Sequence, residues 1–98
     1  MKIIKEGVIY ELKNFKNDDT QTIRFVEKQK DGSFVDGTTN EEVINMMIER
    51  FYDLQKKRFS IENQVIISLF KGIKQQLKKR LTKKVTLLKN YEVYSSKK

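Results

Sequence analysis

The spacing of apolar residues changes once along this chain, at Asp36-Gly37, and that change restricts the fold more than any other feature. Before it, apolar residues alternate with polar ones; after it, they recur every three or four positions. In the first part, Val8, Tyr10 and Leu12 alternate with Ile9 and Glu11, predicting a strand from about Gly7 to Phe15. Asn17-Asp18-Asp19 has turn composition, and Thr22, Arg24 and Val26 then alternate with Ile23, Phe25 and Glu27. Asp31-Gly32 is a hairpin signal, with positive-φ residues joining Glu27–Lys30 to Ser33–Val35. The expectation is a three-stranded antiparallel meander that needs a cover for its apolar face.

Beyond Gly37, Thr39-x-x-Glu42 forms a capping box, with Thr38-x-x-Glu41 as the alternative one residue earlier. Val43, Ile44, Met47, Ile48, Phe51 and Leu54 then recur at helical spacing, predicting a helix that ends near Lys57. Arg58-Phe59-Ser60 is a short connection, and Ser60 is placed to cap a second helix. The stripe of that helix is Val65, Ile66, Leu69, Phe70, Ile73, Leu77, Leu81, Val85 and Leu88, predicting helix over 61–88. It outruns the first helix, so Leu81, Val85 and Leu88 need another chain or the sheet as partner. From Val85 to Tyr94 the composition also suits a strand, and Ser95–Lys98 is expected to be disordered. The predicted class is α+β: a small N-terminal antiparallel β-meander packed on a C-terminal αα-hairpin with a long second helix. One domain is expected over 1–98, with the meander at 1–36 and the hairpin at 37–88.

Missing residue types narrow the chemistry. The chain has 98 residues with no Cys, His, Pro or Trp. No thiolate nucleophile, disulfide framework, imidazole base or ordinary zinc site is available. The carboxylates are scattered: Glu41-Glu42 is explained by helix capping and Asp18-Asp19 by a turn. Asp31-x-Ser33 and Asp36-Gly37 do not complete a calcium loop, and no glycine loop for phosphates is present. We therefore expect no enzyme, no cofactor and no metal. No apolar run approaches the ~18 residues of a membrane span, and Met1–Glu6 lacks a secretory apolar region. A soluble cytoplasmic protein with no membrane partner is expected.

Charge points instead to an anionic partner. The net charge is +8, yet residues 1–70 carry 11 Lys/Arg against 12 Asp/Glu, whereas residues 71–98 carry 10 Lys/Arg and the single acid Glu92. The basic character thus belongs to the C-terminal third. Arg50, Arg58 and Arg80 are three of only four arginines in a chain that otherwise uses lysine, which suits planar bidentate or stacked contacts. For Arg50 the alternative is an ion pair with Glu49 or Asp53. Asn63 is either an alternative cap partner or a reader of a base edge. Thr38, Thr39 and the first amides of the helix they precede attract anions. Phe59, Tyr10 and Tyr52 offer rings for stacking, the alternative being core packing.

From Asp36 to Val43 (Asp36-Gly37-Thr38-Thr39-Asn40-Glu41-Glu42-Val43) the chain resembles phage-encoded sponge proteins of the Thoeris and CBASS anti-defence group, which sequester cyclic-nucleotide-type immune messengers. The likeness continues upstream through Tyr10–Phe15 and Gln21–Lys28, and downstream through Ile48-Glu49-Arg50, Leu54-Gln55, Glu62-Asn63, Leu77 and Arg80. Together it covers about residues 8–84. Where the family commonly has Phe-Pro between the helices, this chain has Arg58-Phe59; the family's threonine after Arg80 is Leu81 here, and its second arginine is Lys84. The run from Lys83 onward has no glycine, unlike the family's tail.

The resemblance implies a homo-oligomer, a dimer or a trimer of dimers (hexamer), with ligand sites between protomers. The ligand implied is a cyclic ADP-ribose isomer or a cyclic oligonucleotide. Arg50, Arg80 and Lys84 would neutralise phosphates, Asn63 or Thr38 and Thr39 would hydrogen-bond sugar or base, and Phe59 would stack. The alternative function is a nucleic-acid-binding module that uses the lysines of the second helix, from Lys71 through Lys84.

Overall fold

Gly7 turns the chain before the first expected strand begins. Its φ of 74° places it in the left-handed region, where only glycine sits without steric cost. The Val8 amide donates to the Lys5 carbonyl at 2.9 Å across this turn. The computed structural model describes residues 1–96, with side chains as far as Lys83. Two compact units emerge, Met1–Val43 and Ile44–Lys98.

In the first unit, Gly7 reverses strand β1 (Lys2–Lys5) onto β2 (Ile9–Lys13), and β2 pairs in turn with β3 (Thr20–Arg24). The sheet is an antiparallel three-stranded meander in the order β1-β2-β3, as the α+β class requires. Its membership differs from the expected one. The segment Lys2–Lys5 supplies the first strand, and Ser33–Val35 does not join this sheet. Register places Ile3, Tyr10 and Ile23 in one cross-strand row, and Tyr10 meets Phe25 edge to face at 6.1 Å. Val8 is the buried apolar residue of this unit.

Strands β4 (Glu27–Lys28) and β5 (Phe34–Val35) form a separate two-stranded hairpin around Asp31-Gly32. The turn contains one left-handed residue, Gly32 at φ 89°, and Asp31 stays at negative φ. Gly32 donates to the Gln29 carbonyl, and Gln29 donates to the Ser33 carbonyl. This is a three-residue loop with a glycine bulge, which needs only one positive φ. Asp31 Oδ1 accepts from both the amide and the hydroxyl of Ser33, at 2.9 and 2.6 Å.

Gly37 is required for a different reason. Phe25 and Thr38 form an isolated parallel bridge: Thr38 N donates to Arg24 O at 2.8 Å, and Val26 N donates to Thr38 O at 2.9 Å. A Cβ at Gly37 would lie 2.5 Å from the Phe25 carbonyl carbon and 2.7 Å from the Val26 nitrogen. Only glycine allows the two backbones to approach this closely.

Helix α1 (Asn40–Lys57) begins after Thr39, whose Oγ1 accepts from Glu42 N at 3.2 Å. Of the two alternatives, Thr39 is therefore the residue that caps the helix. Helix α2 runs from Ile61 to Ser96, past the expected end at residue 88. Val85–Tyr94 is helical despite its strand composition, because no Gly or Pro after Gly72 interrupts the helix. Ser95 and Ser96 are helical too, which corrects the expected disorder there; Lys97 and Lys98 lie outside the described residues.

The two helices pack together, with the Phe51 and Phe70 rings 6.0 Å apart. Ile67 is fully buried, and Ile48 and Leu77 are buried with it. The inward face of α2 is Asn63, Ile66, Ile67, Phe70 and Leu77, and the expected stripe members Val65 and Leu69 remain 53% and 64% exposed. The inward face is thus turned by roughly 35° from the expected one, at 100° per residue, and keeps Ile66, Phe70 and Leu77 in common with it. This orientation sets Phe70 against Phe51 and brings the Lys71 ammonium 5.2 Å from the centre of the Tyr52 ring. Among the described residues, no helix is long and apolar enough to cross a membrane.

Candidate functional site

The connection between the helices is short, and Gln55 fixes it. Its Oε1 accepts from Ser60 N at 2.8 Å, and its Nε2 donates to Ser60 O at 3.1 Å and to Gln64 Oε1 at 3.3 Å. Ser60 Oγ in turn accepts from Asn63 N at 3.0 Å and caps α2. Arg58 N closes the end of α1 on Leu54 O. Every polar group that directs the turn is engaged in holding it, so its outward side chains are presented from a fixed backbone.

The side chains left at this end of the hairpin are the exposed Arg58 and Phe59 and the half-buried Asn63 at the start of the inward face of α2. Phe59 is 69% exposed, so its ring lies open at the turn instead of packing in the core. The Asn63 backbone serves the cap, while its half-buried carboxamide has no protein hydrogen bond among the described residues. Arg58 is exposed and, among the described residues, makes no ion pair. A cation, an aromatic face and an amide with both donor and acceptor capacity thus share one end of the hairpin. Such a set can stack on a base, read a base edge and contact a phosphate.

The other expected residues are dispersed. Arg50 is exposed on α1, one position before Phe51. Its proposed acid, Asp53, bonds Lys57 Nζ at 2.9 Å; Lys57 holds the Asp53 carboxyl below its usual range, with a smaller contribution from Arg50. Arg80 is exposed on α2, seventeen positions beyond Asn63, about 25 Å along the helix at 1.5 Å per residue. Asn63 and Arg80 of one protomer therefore do not share a pocket. Lys84 belongs to α2, but its side chain lies outside the described residues, as do those of Val85 and Leu88.

Thr38 and Thr39 belong to the first unit. The Thr39 hydroxyl is used as the cap acceptor, and both backbone groups of Thr38 are used in the bridge to Arg24 and Val26. Tyr10 and Tyr52 have intramolecular partners in Phe25 and Lys71. Phe59 is the candidate ring left open.

Sequence reasoning included Arg58 among the arginines without placing it in the site. Its position beside Phe59 in a three-residue connection was the available signal. The locking role of Gln55 has no sequence signature of its own, because it depends on the side chain folding back across the turn.

Comparison with known protein families, curated proteins and solved structures finds no match.

Proposed function

We propose that this chain is a non-catalytic binding protein that sequesters a cyclic nucleotide-type signalling molecule in the host cell cytoplasm and so keeps an anti-phage defence effector inactive. The observation that carries the reading is the exposed Phe59 ring on a turn locked by Gln55, next in sequence to Arg58 and at the same end of the hairpin as an Asn63 carboxamide with no protein hydrogen bond among the described residues. A preformed aromatic and polar set loses little side-chain freedom on binding. The ligand class is a cyclic ADP-ribose isomer or a cyclic oligonucleotide. Because Asn63 and Arg80 are far apart along one α2, the working unit is a homo-oligomer, a dimer or hexamer, in which different protomers supply the two. The exposed Leu81 provides apolar surface for that assembly.

The test is to incubate the purified chain with extracts containing the immune messenger, wash it, heat-denature it and identify the released molecule. Release of an intact cyclic nucleotide supports the reading. Release of nothing, or of a cleaved product that accumulates with time, rejects it.

A second reading has its own observation. Lys71, Lys74, Lys78, Lys79, Arg80 and Lys83 are all exposed on α2 and have no acidic partner among the described residues. A basic helix of this kind can lie along a nucleic-acid backbone. Steeply salt-dependent duplex binding without any response to cyclic ligands would favour it.

A further inference from the structure

The outer face of α2 carries a raised row of side chains beside a groove. Val65, Leu69 and Ile73 follow one another at four-residue spacing and are all exposed. In the adjacent row, Ser68 and Gly72 are small and the exposed Gln76 closes it. Between the rows lies a concavity of about 470 Å³, lined by α2 residues alone, with Arg80 at one end.

Gly72 has no role within the protomer. A Cβ there would meet nothing within 4 Å, and its φ is not in the left-handed region. Glycine is nonetheless the weakest helix former after proline. A glycine that its own fold does not require fits a position where a second backbone comes close.

Charge indicates what that second body is. From Asn63 to Phe70 the helix carries no charge, in a protein that is 35% charged with net +8. Along α2, residues 61–70 hold one acid and no cation, and residues 71–83 hold six cations and no acid. Two antiparallel copies would lay the neutral-to-acidic half of each helix toward the basic half of the other. On the ridge face of α2, a parallel pair would set Lys79, Arg80 and Lys83 against the same three cations of the partner, whereas an antiparallel pair brings Arg80 toward the partner's Glu62 end.

We propose that the groove seats the Val65–Leu69–Ile73 ridge of a second copy of this chain, with the two α2 helices antiparallel about a two-fold axis and Gly72 at the closest approach. Ridges of four-residue spacing that interdigitate cross at about −50°. The contact is isologous, because each copy contributes both ridge and groove. A single helix crossing is smaller than the ~800 Å² per partner of a standard stable interface, so this pair dissociates in the micromolar range. The inference rests on the homo-oligomeric part of the function proposed above and places that assembly on the middle of α2.

The test is sedimentation equilibrium of the full chain from micromolar to millimolar concentration, comparing wild type with Gly72→Leu. The variant fills the groove from open space and exchanges a poor helix former for a good one, so its helical circular dichroism should be unchanged or higher. Its self-association should weaken by about ten-fold or more. In the cysteine-free background, Leu69→Cys should form a covalent dimer with a short bismaleimide, and Lys78→Cys, on the opposite side of α2, should not. Wild type that stays monomeric throughout, or an undiminished mass for Gly72→Leu, overturns the proposal. Titration of the same samples with cyclic nucleotides separates the two ideas: an altered mass without ligand binding sinks the sequestering function, and ligand binding with an unaltered Gly72→Leu mass sinks this interface.

Discussion

Gln55 and Ser60 are joined by two hydrogen bonds of opposite direction, one from the Ser60 amide at 2.8 Å and one to the Ser60 carbonyl at 3.1 Å. The carboxamide supplies a donor and an acceptor from the last turns of α1, the acceptor to a Ser60 amide with no other partner among the described residues and the donor to a Ser60 carbonyl that also accepts from Gln64 N at 3.3 Å. No charged side chain can do this, because a carboxylate lacks the donor and an ammonium lacks the acceptor. Gln55→Glu should therefore weaken the turn, and Gln55→Ala should lower stability by about 1–3 kcal/mol through the two lost bonds. Urea denaturation followed by helical circular dichroism measures it; a loss below about 0.5 kcal/mol would show that water replaces the amide freely.

Gly37 and Gly72 should respond oppositely to the same substitution. Gly37→Ala drives a methyl into the backbone of Phe25 and Val26, and the expected cost is about 2 kcal/mol or more. Gly72→Ala meets open space and should stabilise the protomer by about 1 kcal/mol. Thermal melts at low protein concentration compare the two without interference from self-association.

Acidification should loosen the first unit at Glu27 and Asp31, and should act in the same direction on the Asp53–Lys57 pair of α1. Lys5 Nζ bonds Glu27 at 2.9 Å and, with Gln29, lowers the Glu27 carboxyl below its usual value; the Ser33 hydroxyl and amide do the same for Asp31. Groups with depressed folded-state values contribute stability above their unfolded pKa and lose it as pH falls through the folded value. The loss should thus begin below about pH 4. Glu27→Gln should flatten the change, read as amide exchange in β1 and β4; an unchanged profile would assign the sensitivity elsewhere.

Phe59→Ala and Asn63→Ala should each weaken binding of a cyclic nucleotide by about 1–3 kcal/mol, with little effect on stability, because the ring is exposed and the Asn63 side-chain carboxamide has no protein hydrogen bond among the described residues. A nucleic-acid binder that contacts about six phosphates would instead lose on the order of a thousand-fold in affinity between about 50 and 200 mM salt. Titrations at both salt concentrations decide between these behaviours.

The switch from alternating to helical spacing was legible, and so were the helix boundary at Lys57, the Thr39 cap and the turn at Asp31-Gly32. What escaped depended on contacts between distant positions. The strand Lys2–Lys5 is too short and too charged to stand out, and it exists because Gly7 turns it onto Tyr10 and Glu11. In α2, the apolar residues are numerous enough to support two faces, and periodicity alone does not choose between Leu69 and Ile67. The choice is made by Phe51 and Tyr52 on the neighbouring helix. At the candidate site, residue types were readable, but the 25 Å between Asn63 and Arg80 follows only once both lie on one straight helix.

Each strand of this chain pairs with the strand next to it in sequence, and the helix pair is joined by three residues. Such a topology closes only short loops, so little chain entropy is lost before favourable contacts begin to form. The meander can complete once Phe25 is available to Val8, and the helical hairpin needs nothing from the sheet to nucleate at the Gln55–Ser60 turn. During synthesis, each piece finds its partner soon after it emerges. The sequestering function proposed above, which requires one site per ligand, would be served by such rapid accumulation.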